Sequence, residues 1–409
     1  MVNISFSQDI KKNQLVLALY IPALLLAFSQ SLLDPVLPIF AKGLNINYGL
    51  VGLVLAGYTL GMLLGDIPSG MLLSKLGKKR SMMLGFALSS LATLALYAMK
   101  NVPEIVFCRI LSGFGIALFN IARHAYLADS VSVPNRGRVI ALLGGVFRLG
   151  NFLGPAVGGM VAASYGLRVP FLLYGGSLSV GFLIIAFFVR RTEIRPEIER
   201  KIAESSKFHL LTILKANARP LTFAGVAQLF AQLIRQGRGT IIPLYGADIL
   251  GLDVATIGYI ISISAAIDMS LFLPTGWIMD RLGRKVAVVP AFAIMAVGMA
   301  IVPWVGSAAG LTLAASLMGL GNGLSSGTML VIGADLAPEE GRGEFLGVWR
   351  FIGDMGATSG PLMVGGVADV ISLPAAALFV AFSGILASSI FVLGVPETLK
   401  KHPRLLRSG

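Results

Sequence analysis

Adding 206 to a residue number carries a set of glycines, prolines and charges in the first half of this 409-residue chain onto matching types in the second. Gly52 falls on Gly258, Pro68 on Pro274, Gly70 on Gly276, and Leu76-Gly77-Lys78-Lys79 on Leu282-Gly283-Arg284-Lys285. Farther on, Gly113 and Gly115 fall on Gly319 and Gly321, Asp129 on Asp335, and Arg136-Gly137 on Arg342-Gly343. Gly154-Pro155 falls on Gly360-Pro361, and Gly159 on Gly365. An ungapped register held over more than a hundred residues, on Gly, Pro and charge, does not arise from apolar composition alone. The chain is two copies of one unit.

Each copy is built of apolar runs near 20 residues, the length that crosses a bilayer core as a helix. The spacing predicts spans at 14–40, 48–74, 81–100, 103–127, 138–164 and 168–190. A second set follows at 218–246, 252–280, 286–306, 309–333, 343–369 and 373–395. Charged residues make up only 13% of the chain and mean hydropathy is +0.82. A soluble protein carries about twice that charge fraction. Period-two alternation over short segments, the mark of a membrane β-barrel, is absent. The expected fold is therefore all-α and polytopic, with 12 transmembrane helices in two six-helix bundles, 1–190 and 219–395. A polar cytoplasmic linker, 191–218, joins them, and a cytoplasmic tail, 396–409, follows. Each copy has an even number of spans, so both share one orientation, related by an axis along the membrane normal.

The net charge of +13 is topological and gives no sign of nucleic acid. Of 33 Lys and Arg, 24 fall in loops on one side, including Lys75, Lys78, Lys79, Arg80, Arg281, Arg284 and Lys285. Only Lys42, Lys100 and Arg168 fall in loops on the other. The positive-inside rule makes the basic side cytoplasmic, with both termini inside and the plasma (inner) membrane as the location. The single cysteine, Cys108, cannot form an intramolecular disulfide, and the three His are scattered, so no metal site is expected. No nucleophile–base constellation or phosphate loop is present, so an enzyme is not expected.

The repeated turn resembles the loop signature of the major facilitator superfamily. The second copy reads Gly276-Trp-Ile-Met-Asp280-Arg281-Leu-Gly283-Arg284-Lys285. The first reads Gly70-Met-Leu-Leu-Ser74-Lys75-Leu-Gly77-Lys78-Lys79, with Ser74 where the family has Asp. Gly permits the tight turn, the cations keep it inside, and an Asp at the helix end can pair with a neighbour. Gly150-Asn-Phe-Leu-Gly154-Pro155-Ala-Val-Gly158-Gly159 resembles the fifth-helix motif of the 12-helix drug:proton antiporter branch. Its glycines offer a flat face, and Pro155 a bend, at a bundle interface that serves as a pivot. Arg109-Ile-Leu-Ser-Gly113-Phe-Gly115 resembles the fourth-helix Arg motif of that branch, which implies proton coupling for Arg109. Arg109 also lies about 9 Å from the outer end by helix rise, where snorkelling is the other reading.

Ten charges fall inside spans: Asp34, Asp66, Asp268 and Asp354 against Arg109, Arg123, Arg148, Arg235, Arg238 and Arg350. Such charges are paired or line a wet path. Measured from the basic side, Asp66 and Arg350 lie at roughly 13 and 11 Å, Arg148 and Asp268 at roughly 15 and 18 Å. In the superfamily fold helix 2 meets helix 11 and helix 5 meets helix 8. Asp66–Arg350 and Arg148–Asp268 are therefore expected as inter-bundle pairs. Asp34 is expected to meet Arg235 or Arg238 near the outer mouth. Asp354, the repeat position of Arg148, is left without a partner, and with Asp34 and Arg109 forms the proton-coupling set. Arg123 and His124 are expected to snorkel. Gln228, Gln232 and Gln236 form one polar stripe which, with Asn120, Asn322, Asp34, Arg235 and Arg238, is expected to face a small-molecule substrate. The expectation is a monomeric secondary transporter in the bilayer, exporting drug-like or amphipathic organic compounds against protons, with no bound cofactor. The alternatives are a carrier of organic anions or phosphorylated metabolites, favoured by six Arg over four Asp, and a non-transporting receptor or lipid-binding scaffold.

Overall fold

A computed structural model describes residues 15–190, 218–339 and 341–399. The expected linker thus lies almost wholly outside the described residues, as does the tail beyond Leu399. Every regular element among the described residues is helical. The first crossing is not continuous. A π-turn, Val16–Tyr20, leads into α1 (Ile21–Leu32), and three turn residues separate it from α2 (Val36–Lys42). Pro35, which lacks an N–H, stands in this break; Leu33 and Pro35 keep helical dihedrals, and Asp34 N bonds Ser31 O at 3.1 Å. Asp34 thus sits in a tight turn within the first crossing.

A single run, α3 (Tyr48–Ala95), is about 72 Å long at 1.5 Å per residue, twice a bilayer core. Gly77 breaks it at φ 74°, ψ 167°, and its repeat mate Gly283 sits at φ 118°. Both positions of the turn signature take a backbone open to glycine and strained for other residues. Then come α4 (Val102–Ser130), α5 (Val133–Tyr165) and α6 (Val169–Phe188). The second copy is α7 (Ala218–Leu244) with a π-turn, α8 (Val254–Arg281) and α9 (Arg284–Ile301). It continues through α10 (Ala308–Leu324), α11 (Thr328–Leu336), α12 (Arg342–Val370) and α13 (Leu373–Leu393). The expected span 309–333 is broken at Ser325–Gly327, because Gly327 adopts φ 73° where the first copy has Ile121.

Nine helical stretches among the described residues are long and apolar enough to cross a membrane. α7 and α12 have the length but not the hydropathy, since they carry Arg235, Arg238, Arg350, Asp354 and the three glutamines.

The repeat register survives as geometry. Asn47 caps α3 by accepting from Leu50 N at 3.0 Å, and Asp253, 206 residues on, caps α8 through Ala255 N and Thr256 N at 2.9 and 3.0 Å. Lys78 pairs with Asp129, and their mates Arg284 and Asp335 pair at 3.2 Å. Ser74 only bonds back to Met71 O at 2.9 Å, so in the first copy Asp129 supplies the carboxylate that the turn lacks. Asp280 reaches Arg284 of the same corner at 3.3 Å and is otherwise exposed.

The start of α9 is held by Glu397, which accepts from Arg284 N at 2.9 Å and Lys285 N at 3.0 Å. Partial burial works against the Glu397 charge, but these bonds and those from Leu399 and Thr398 hold it below the ordinary glutamate range. A depressed carboxylate contributes while ionised and is lost as pH falls through its folded value. Glu397→Gln is therefore expected to speed amide exchange at Arg284 and Lys285 at pH 7. Wild-type protection there should fade only as pH falls below the ordinary glutamate range.

Candidate functional site

The two copies meet along two seams, α3 against α12 and α5 against α8. At the end away from the basic turns, the seams close backbone to backbone. A Cβ on Gly52 would stand 2.4 Å from Pro361 O, and one on Gly258 stands 2.4 Å from Pro155 O, the same contact in both copies. Asp369, near the end of α12, accepts from Tyr48 N at 2.7 Å and Gly49 N at 2.8 Å at the start of α3. A carboxylate on a helix N-terminus is favoured by the orphan N–H groups there. Toward the basic end, Gly70 and Gly276 of the turn signature have nothing within 4 Å of their Cβ positions. They lie within helices, and the turn itself is made at Gly77 and Gly283.

The fifth-helix glycines divide. Gly150, Gly154 and Gly158, spaced by four, share one face and press on α1 of their own copy, at Phe28 N, Leu32 N and Leu32 O. Only Gly159, one residue round, meets the other copy, at Val254 O. The expected interface pivot is therefore mostly an intra-copy contact.

Between the copies lies a cavity of about 660 Å³. Arg350 Nη2 reaches Asp66 Oδ1 at 3.1 Å across one seam, and Arg148 Nε approaches Asp268 Oδ1 at 3.7 Å across the other. Arg148 also donates to Ser326 Oγ and stacks on Phe272, its centre 4.2 Å from the ring centroid. Asn322 Nδ2 gives Asp268 Oδ2 a 2.6 Å bond.

Three expectations change here. Asp354 is not partnerless: Arg350, one turn away on α12, lies 3.5 Å from its Oδ2. The Asp66 and Asp354 carboxyls also stand close enough to interact, so one guanidinium serves two acids. Asp34 does not meet Arg235 or Arg238: no cation lies within 4.0 Å of it among the described residues. Arg235 is held instead by Ser325 O and Oγ at 3.0 and 2.7 Å, in the break after α10, and Arg238 by Met318 O at 3.4 Å. Asp34 itself is open to the cavity. Finally, Arg109 and Arg123 do not snorkel. They are 8% and 7% exposed, face the cavity, and lie over aromatic rings, Arg109 on Tyr58 and Arg123 between Phe119 and Phe147.

Gln232 and Gln236 line the cavity, as do Asn120 and Asn322, but Gln228 does not. It is buried against Gly353 of α12. Sequence reasoning missed Tyr58, Tyr174, Gln30 and Asn151, which also line the cavity. Gln30 and Tyr58 hydrogen-bond each other across α1 and α3. A tyrosine or glutamine in an apolar run was the available signal.

A duplicated helical membrane protein with a charge-lined cavity between its copies has the architecture of a carrier. The chain belongs to the Major Facilitator Superfamily of transporters, whose family model matches residues 19–361 and 224–408. It is 24% identical to multidrug resistance protein 2 of Bacillus subtilis over 62% of this chain and 64% of that one. It is 23% identical to an uncharacterized transporter of the same superfamily from Methanocaldococcus jannaschii, over 88% of this chain and 93% of that one. The quinolone resistance protein NorA of Staphylococcus aureus matches at 24% over 58% of this chain and 59% of that one. The match thus spans under two thirds of the two resistance proteins. Among solved structures, a peptide transporter aligns with a TM-score of 0.76 at 15% identity, covering 93% of this chain and 94% of that one. A D-xylose–proton symporter aligns with a TM-score of 0.73 at 16%, covering 94% and 98%. These two show the fold.

Proposed function

We propose that the chain crosses the inner membrane twelve times, termini in the cytoplasm, and exports amphipathic organic compounds by alternating access, driven by proton entry. The count follows if the Gly77 break divides α3 into two crossings and α7 and α12 are polar crossings. The carrying observation is the cavity at the seams, lined by Asp34, Asp268 and Asp354 together with Arg109, Arg235 and Arg238. Ion pairs that span the seams at mid-depth are contacts that rocking would make and break. The resistance relatives support organic compounds as the cargo, and Gln232, Gln236, Tyr58 and Tyr174 give such a cargo polar and aromatic partners. Asp34 and the Asp66–Arg350–Asp354 group are the proton sites in this reading. Each is a carboxylate whose charge state decides whether an arginine is neutralised.

Inverted vesicles test this. Ethidium, a cation, and dansylglycine, an anion, are offered in turn to acid-loaded vesicles containing the protein; the dye that is carried should release luminal protons, and Asp34→Asn should cut that release by about tenfold or more. Dye movement unaffected by collapse of the proton gradient, or by Asp34→Asn, would overturn the coupling.

A further inference from the structure

The cavity holds more positive charge than the protein neutralises. Arg109, Arg123, Arg235 and Arg238 all line it, and none has a carboxylate within 4.0 Å among the described residues. Of the three carboxylates lining it, Asp268 is engaged by Arg148 and Asp354 by Arg350, which leaves only Asp34. Among the four arginines, Arg235 and Arg238 are tied to carbonyl groups, and Arg109 faces the Asp34 side, where it acts on that carboxylate.

Arg123 stands apart. It is 7% exposed, its Nε and Nη1 have no hydrogen-bond partner, and the charged group that acts on it is another cation, Arg350. Two phenyl rings hold it, Phe147 at 4.9 Å and Phe119 at 5.5 Å. Ring faces attract a cation but leave its N–H groups unsatisfied, and a buried guanidinium with unused donors is costly. Next to it, Asn120 also lines the cavity and has an unpartnered Oδ1.

We infer that Arg123 is the anion-recognition point of the cavity, so that the cargo is an amphipathic organic anion. Its acid group seats on the guanidinium edge that Nη2 forms with one of the two unpartnered nitrogens, and its apolar body lies along Phe147 and the neighbouring cavity wall. A carboxylate or sulfonate fits, because the planar donor edge takes two oxygens at once. Only the Asn120 Nδ2 can donate to the head group; its unpartnered Oδ1 is an acceptor and suits an N–H or O–H elsewhere on the cargo. The inference rests on the transport reading and narrows it from amphipathic compounds in general to those bearing one acid group.

A matched probe pair isolates the acid group: dansylglycine, a fluorescent carboxylate, and dansylglycinamide, its neutral twin. With the full chain in phosphatidylcholine nanodiscs, dansylglycine should bind about 10- to 100-fold tighter than the amide, as a charge-assisted hydrogen-bond pair provides. Arg123→Gln should abolish that preference, and Arg123→Lys should keep part of it. Arg123→Gln should also raise the ligand-free Tm or leave it unchanged, since it removes a partnerless buried charge. Should the glutamine variant fail to fold, Arg123→Lys and Phe147→Leu carry the test through a reduced preference. Added phosphatidylglycerol that displaces dansylglycine would identify an anionic lipid as an occupant of the same point. Equal binding of both probes, or a preference that survives Arg123→Gln, overturns the inference. The two readings fail separately. Wild-type vesicles that move ethidium but show no acid preference leave transport standing, whereas an acid preference without flux of any probe leaves the anion site and removes the transporter.

Discussion

Replacing Gly52 or Gly258 by leucine is expected to drive the protein out of the conformation described here by tenfold or more in population. Each Cβ would stand 2.4 Å from a backbone carbonyl of the other copy, Pro361 O or Pro155 O. No rotamer change relieves a clash with main chain, so the helices must part. Overpacking of this kind costs about 1–3 kcal/mol, and 1.4 kcal/mol is a factor of ten in an equilibrium. Spin labels at Leu50 and Val370, on opposite copies at the closed end, should move apart in either variant, and transport should fall. Unchanged distances together with unchanged transport would show that these contacts do not report on the state of the seams. Alanine should give the same direction with a smaller size, because one methyl group asks for less separation.

The second large effect concerns the pair across α5 and α8. Asp268→Ala leaves a half-buried Arg148 with Gly144 O, Ser326 and the Phe272 ring, and removing one member of a buried pair costs about 3 kcal/mol, an upper figure for a pair only partly buried. The low end of the usual range applies, because Arg148 and Asp268 touch at 3.7 Å without a hydrogen bond. Arg148→Met with Asp268→Leu should recover most of the stability, since apolar replacements of both partners remove the desolvation penalty along with the attraction. The double variant should still transport poorly, as the seam would then stay closed without a charge to release. Thermal unfolding in detergent, paired with vesicle flux, separates the two effects. Full stability in Asp268→Ala would deny the pair any structural weight.

Much of this was legible in the residues. The 206-residue offset anticipated that Gly77 and Gly283 do one job in two places, and the caps at Asn47 and Asp253 extend it. Depth counting brought Asp66 to the level of Arg350, and Arg148 to that of Asp268. What depth cannot give is rotation about the helix axis. Four residues turn a helix by about 400°, so a stripe at every fourth position drifts some 40° each time. Gln228, however, shares the helix side of Arg235 and Gly239, which line the cavity, and is kept out by depth, packed one turn before Gln232 against Gly353. Blindness to rotation hid the inward aim of Arg123. Other misses were readable. Arg350 and Asp354 are four apart on one helix and hence on one face. Asp34 precedes a proline, which announces a bent backbone at that depth. The Ser325–Gly327 break escaped because the first copy, with Ile121 in the glycine's place, runs straight through.

The braced corners have a mechanical consequence. At Gly77 the chain turns sharply and is tied to α4 through Lys78 and Asp129. At Gly283 it is tied to α11 through Arg284 and Asp335, and again to the chain's last described stretch through Glu397. Bracing of this kind stiffens each copy against internal flexing, so compliance is left to the seams. In the rocking cycle proposed above, the two copies then act as a pair of rigid jaws whose bite is set at the Tyr48–Asp369 end. A perturbation anywhere along one jaw reaches the cargo as a change of angle instead of a local dent.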